Sequence, residues 1–181
     1  RPKKRSEEKE KVVLPKAAPI PIKPTIKVRL ENAAQDATQI KTWSEGLTSG
    51  EAYLFGRIQE SWELKDYEKG ASLIDQFLTT YPESRPCEHI SFLRGDFRLY
   101  LLKSGRSEIL QTLIESYQDA IDRFSNSKEV PGAYLKMAQA NYLASNYYAT
   151  IGSLNAVISK FPKGDHLPDA YILRGKAYLR L

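Results

Sequence analysis

Few residues in this chain are of types that do chemistry. Cys87 and His89 stand close together in "PCEHI", and a thiol beside an imidazole is the pairing that makes a thiolate nucleophile. Pro86, however, reads as the lead into a helix with Cys87 at its N-terminus, which is a structural setting for the thiol. The second histidine, His166, follows 77 residues later, and neither histidine has a Cys or His at ligand spacing. Asp66, Asp75, Asp96, Asp119 and Asp122 are scattered over different predicted helices and form no acid–base pair. Gly152 and Gly175 sit inside helical pattern, where glycine reads as close helix packing rather than a phosphate loop. No P-loop or dinucleotide fingerprint occurs. The expectation is a chain with no catalytic centre, no metal site and no cofactor.

The elements that would position any site follow from composition and pattern. A length of 181 residues with 41% hydrophobic content allows one ordinary domain or a short run of repeats around a real core. Residues 1–30 hold ten Lys/Arg against three Glu, while the other residues hold 17 Lys/Arg against 19 Asp/Glu. The basic balance therefore belongs to the tail, and a whole-chain argument for nucleic-acid binding fails. The lone cysteine has no internal disulfide partner, which fits a reducing compartment and equally an envelope protein that does without disulfides. The chain starts at Arg1 rather than Met and reads as processed or cut from something longer. No apolar stretch approaches the roughly 18 residues of a membrane helix, and no signal-peptide core is present. Membrane association is expected only through an upstream anchor or the basic tail.

Residues 1–25 hold five of the ten prolines and a dense set of charges, which predicts an extended basic linker. Within residues 26–50, Ile26, Val28 and Leu30 alternate with charged residues as a half-buried strand would, and residues 31–47 predict a first helix with Gly46 near its end. Residues 51–181 read as helices throughout. They span 51–64, 67–81 (stopped by Pro82), 87–103, 107–124 with Ser107 as N-cap, 131–145 started by Pro131, 147–161 (ended by Pro162), and a last one opened by Pro168.

Two segments, 54–82 and 134–162, align without a gap at an offset of 80 residues. Ile58 falls on Ala138, Trp62 on Tyr142, Tyr67 on Tyr147, Ile74 on Leu154, Phe77 on Val157, Tyr81 on Phe161 and Pro82 on Pro162. "FLRGDFRLYL" at 92–101 falls on "ILRGKAYLRL" at 172–181 with the same offset. First-helix sites then stand at Ile58, Gly95, Ala138 and Gly175, spaced 37, 43 and 37 residues apart. Two helices per period, a small residue in the first and a proline after the second predict a solenoid of helical hairpins. The repeats divide approximately into 51–85, 86–129, 130–165 and a partial unit 166–181. The middle one carries about six extra residues and ends in Asn126 rather than Pro. The apolar Ile172, Leu173, Leu179 and Leu181 of the partial unit favour a chain that continues, with a capping helix as the alternative.

On these residues the chain resembles the tetratricopeptide repeat family. Tyr134, Met137-Ala138, Tyr147, Thr150, Leu154, Val157 and Pro162 occupy the places of that family's pattern, and Tyr171, Gly175 and Tyr178 begin the next unit. Thr150 and Gly70 depart from its usual Ala, and Ile58 from its usual Gly. The "YPES" and "FPKG" ends are similar to those of bacterial cell-envelope members. The resemblance implies an all-α solenoid of about three and a half hairpins. Its first helices would line a partner-binding groove formed by Phe55, Gln59, Trp62, Phe92, Asp96, Tyr100, Gln139, Tyr142 and Lys176, with Leu99, Leu135 and Ile172 alongside. The Lys/Asn clamp that some members use for C-terminal carboxylates is not reproduced. The expected role is a non-catalytic scaffold holding another protein in an envelope assembly, with a periplasmic setting favoured over a cytoplasmic one and homo-oligomerisation left open. Two rivals stand beside it. One is the helical accessory region of a larger cell-wall enzyme, and the other is a basic-tailed binder of nucleic acid or a membrane surface.

Overall fold

The computed structural model describes residues 46–181, which belong to one compact unit. The predicted linker at 1–25, the strand-like stretch 26–30 and all but the end of the helix predicted over 31–47 lie outside the described residues. Seven α-helices follow one another: α1 Ser49–Glu63, α2 Tyr67–Thr80, α3 Cys87–Lys103, α4 Leu110–Arg123, α5 Val130–Leu143, α6 Tyr147–Lys160 and α7 Leu167–Tyr178. A short 3-10 turn, Ser107–Ile109, precedes α4. No strand occurs among the described residues, so the all-α expectation holds.

Local chemistry sets the helix ends. Thr48 caps α1 and Glu51 closes a capping box, the Thr48 amide donating to Glu51 Oε2 at 2.7 Å. Asp66 caps α2 by accepting from the Lys69 amide. Pro131 lies in the first turn of α5 and Pro168 in the first turn of α7, where the missing amide costs nothing. Ser107 is not the cap it was expected to be. It is the first residue of the 3-10 turn and makes no side-chain capping bond.

Consecutive helices pair as hairpins, and the hairpins repeat in backbone detail. The turns inside them pass through left-handed residues at Lys65 (φ 59°), Gly105 (φ 101°) and Ser145 (φ 61°). In each, an amide five residues on bonds the preceding helix: Asp66 to the Ser61 carbonyl, Arg106 to that of Leu101, Asn146 to that of Asn141. The second helices end alike, at Tyr81 (φ −128°, ψ 59°), Phe124 (φ −125°, ψ 53°) and Phe161 (φ −128°, ψ 60°). The amides of Ser84, Ser127 and Gly164 then bond the carbonyls of those aromatics. In this register Ser125, not Asn126, stands where Pro82 and Pro162 stand. The extra residues of the middle unit divide in two: α3 has 17 residues against 14 in α5, and the 3-10 turn adds three more.

The core is a chain of linked clusters. Ile58, Ile74 and Phe77 of the first hairpin close on Ile90 and Phe97 of α3, all with no exposed surface. Leu113 and Tyr117 of α4 pack with Phe92, Leu99 and Ala133. Leu154 and Val157 of α6 pack on Leu135, Ala138 and Ala170. Each buried apolar side chain of this size contributes about 1.5–3 kcal/mol. Glycine permits two of the closest approaches, since a Cβ at Gly70 would strike the Phe97 ring and one at Gly95 the Tyr117 ring. Gly152 and Gly175, expected to mark close packing, instead face open space. The first helices also touch one another, α3 with α5 and α5 with α7, and so form a row.

Candidate functional site

The residues expected to line a groove divide into three groups. Phe55, Phe92, Leu99 and Leu135 are buried in the core. Each sits on a first helix at a position that the neighbouring elements cover, so these side chains hold the hairpins together rather than face solvent.

Trp62 and Tyr100 form the second group, an aromatic box at the turn end of the first two hairpins. Trp62 stands edge-on to Tyr100 at 5.1 Å and tilted on Phe97 at 5.0 Å, and Tyr67 stacks on Tyr100 at 4.9 Å. Rings at these separations attract beyond their buried area. Lys103 Nζ lies 5.1 Å above the Tyr100 ring, so the box carries a cation at its rim. The third hairpin repeats a smaller version, with Tyr142 edge-on to Tyr147 at 5.6 Å. Trp62, Tyr67, Tyr142 and Tyr147 are half-buried, and Tyr100 is exposed.

The polar residues differ from one another. Asp96 is engaged inside the molecule: Lys136 Nζ donates to its two oxygens at 2.6 and 2.7 Å, and the buried Tyr117 hydroxyl donates to Oδ1. This carboxylate joins α3, α4 and α5. Burial first, then the charge of Asp96, pushes the Tyr117 hydroxyl well above its ordinary range, so it stays protonated and donates. Gln59 and Gln139 stand half-buried at equivalent positions, and Gln59 Nε2 is enclosed without a hydrogen-bond partner. Lys176 is exposed.

A second polar joint, not anticipated from sequence, binds α2, α3 and α4. Arg98 donates to Asp75 at 2.8 Å and to Ser116 Oγ, and Arg94 donates to Asp119 at 3.0 Å while lying 3.8 Å from Asp75. No local motif announces it, because its members come from three helices.

The residues suited to chemistry are placed structurally. The Cys87 thiol is buried and donates to the Tyr81 carbonyl at 2.9 Å, and burial raises it above the ordinary thiol value, away from a reactive thiolate. His89 Nδ1 lies 3.1 Å from Glu129 Oε1. Among the described residues no three His, Cys, Asp or Glu side chains gather as a metal would need. A cleft of about 290 Å3 is lined by Glu88, Arg123, Phe124, Ser125, Asn126 and Ser127 beside the turn that follows α4. No described helix is long and apolar enough to cross a membrane.

The accessible part of the expected surface is therefore Gln59, Trp62, Tyr100, Gln139, Tyr142 and Lys176, spread over four successive first helices. A scan against protein-family models finds no match for this chain, and a search of curated proteins finds no relative.

Proposed function

We propose that the chain is a non-catalytic scaffold of tetratricopeptide-repeat type that holds a partner protein along its first-helix row. The observation that carries this reading is the recurrence of a half-buried aromatic and amide pair on two of the four first helices, α1 and α5. Trp62 and Gln59 on α1 recur as Tyr142 and Gln139 on α5. Amphipathic rings with fixed positions and few rotamers are the groups that anchor protein interfaces, and amides beside them supply hydrogen bonds without charge. The "YPES" and "FPKG" repeat ends support a place in a bacterial envelope assembly. A second reading rests on the ten basic residues within 1–30, which suit an anionic polymer or membrane surface.

Photo-crosslinking in extract of the native cell tests the proposal. A benzophenone side chain is placed at Gln59, Gln139 or Lys176, and in separate variants at Gln76 or Tyr148 on second helices. The expected result is one shared protein adduct from the first set and none from the second. Adducts confined to Gln76 and Tyr148 would remove the first-helix row as the site. A strongly salt-dependent association lost on deleting residues 1–25 would favour the tail.

A further inference from the structure

The aromatic box differs from a core cluster, because polar groups stay unspent at its surface. Trp62 Nε1 and the hydroxyls of Tyr67 and Tyr100 make no hydrogen bond among the described residues, and none of the three atoms is sealed from solvent. The rings are fixed all the same. Trp62 stands perpendicular to Tyr100, and Tyr67 lies within 18° of parallel to it. Fixed rings with unspent N–H and O–H donors match a ligand with apolar side chains and bare backbone carbonyls.

Three backbone shapes can be weighed against that demand. A docked helix cannot use such donors, since its carbonyls are spent within the helix. An added strand needs an exposed sheet edge, and no strand occurs among the described residues. A polyproline II segment has no internal hydrogen bonds, and its prolines dock on aromatic-lined surfaces. Spacing points the same way. Tyr100 on α3 is 38% exposed, and Leu143, 43 residues later at the equivalent place on α5, is 54% exposed next to the half-buried Tyr142. Both helices are flanked by described helices on either side. α3 and α5 touch, and packed helix axes lie about 8–10 Å apart. A polyproline II chain turns once in three residues, about 9 Å. Prolines three residues apart therefore face one side and reach both positions. Lys103 above the Tyr100 ring disfavours a basic segment.

We propose that the box and the Tyr142–Leu143 step together hold an uncharged proline-rich segment of the partner protein in the polyproline II conformation. One proline sits against Trp62 and Tyr100, and another, three residues on, against Leu143. This inference rests on the scaffold reading above and names the chemistry of its partner.

The probe is a fluorescein-labelled (Pro-Pro-Ala)4 peptide, titrated with the full chain and read by anisotropy. Saturation is expected, and a flexible (Gly-Ser-Ala)4 peptide should not bind. Trp62→Phe keeps a ring and removes the N–H, so affinity should fall about fivefold, the worth of one net hydrogen bond. Tyr100→Ala should lower it at least about tenfold. Melting curves and circular dichroism check that both variants stay folded. No saturation up to about 1 mM, equal affinity for the two peptides, or parental affinity in both variants would overturn the proposal. So would an affinity that rises on deleting residues 1–25, because that result assigns the box to the chain's own proline-rich tail. Failure of the peptide while crosslinks from Gln59, Gln139 and Lys176 still give one shared adduct would remove the proline-rich partner and leave the scaffold reading standing. Failure of both would remove both.

Discussion

Gly95 and Gly175 stand 80 residues apart in the like tetrapeptides "FLRG" and "ILRG", yet their surroundings are opposite. A ring presses on the first and nothing on the second. In an isolated helix, alanine is better than glycine by about 1 kcal/mol. At Gly95 that gain meets the Tyr117 ring, and overpacking of this kind costs about 1–3 kcal/mol. Gly95→Ala is expected to lower the urea midpoint and Gly175→Ala to hold or raise it. A rise at both positions would mean that the Tyr117 ring yields easily. The sequence makes both glycines visible as small helix residues but says nothing of what lies opposite. The same limit explains Phe55 and Phe92. Their positions on first helices are legible, whereas their burial depends on neighbouring elements that a position-by-position reading leaves out. Asp96 is the clearest case, for its partners Tyr117 and Lys136 lie 21 and 40 residues away and belong to two other helices.

Helices were the most legible elements, because apolar spacing, prolines and capping residues all act within a few positions. The turns between them were less so. Lys65 and Ser145 occupy the left-handed region, where a side chain costs roughly 1–2 kcal/mol, and neither residue type advertises it. Only Gly105, at the matching place in the middle hairpin, does. Glycine at the other two turns would remove that cost while adding about 0.5–1 kcal/mol of backbone entropy in the unfolded chain. Lys65→Gly and Ser145→Gly are therefore each expected to stabilise modestly, and Gly105→Ala to destabilise, in chemical denaturation. Loss of stability in both glycine variants would show that the turn side chains contribute more than their backbone strain costs. The 3-10 turn at Ser107–Ile109 escaped sequence reading for a related reason. Its three residues continue a helical pattern, and only the tighter backbone separates them from α4.

Across the whole molecule each helix contacts mainly its sequence neighbours, which makes stability a sum of hairpins and the interfaces between them. The offset of 80 residues makes that plan legible in the sequence, because a repeated unit leaves the same imprint twice. The unequal strength of the interfaces was not legible. α3 touches α2, α4 and α5, and carries both the Asp96 joint and the Arg94–Arg98 joint. α7 touches chiefly α5 and α6 among the described helices and buries just Ala170 and Ala177. Protection against hydrogen exchange should follow this gradient, since local opening exposes the least buried surface first. Amides of α7 are expected to exchange fastest among the helices and those of α3 and α4 slowest. Arg174, Lys176 and Arg180 place three cations at that end, so raising the salt concentration is expected to slow α7 exchange more than that of α3. Equal exchange across all seven helices would instead mean that the hairpins open as one cooperative unit, with α7 held as firmly as the centre.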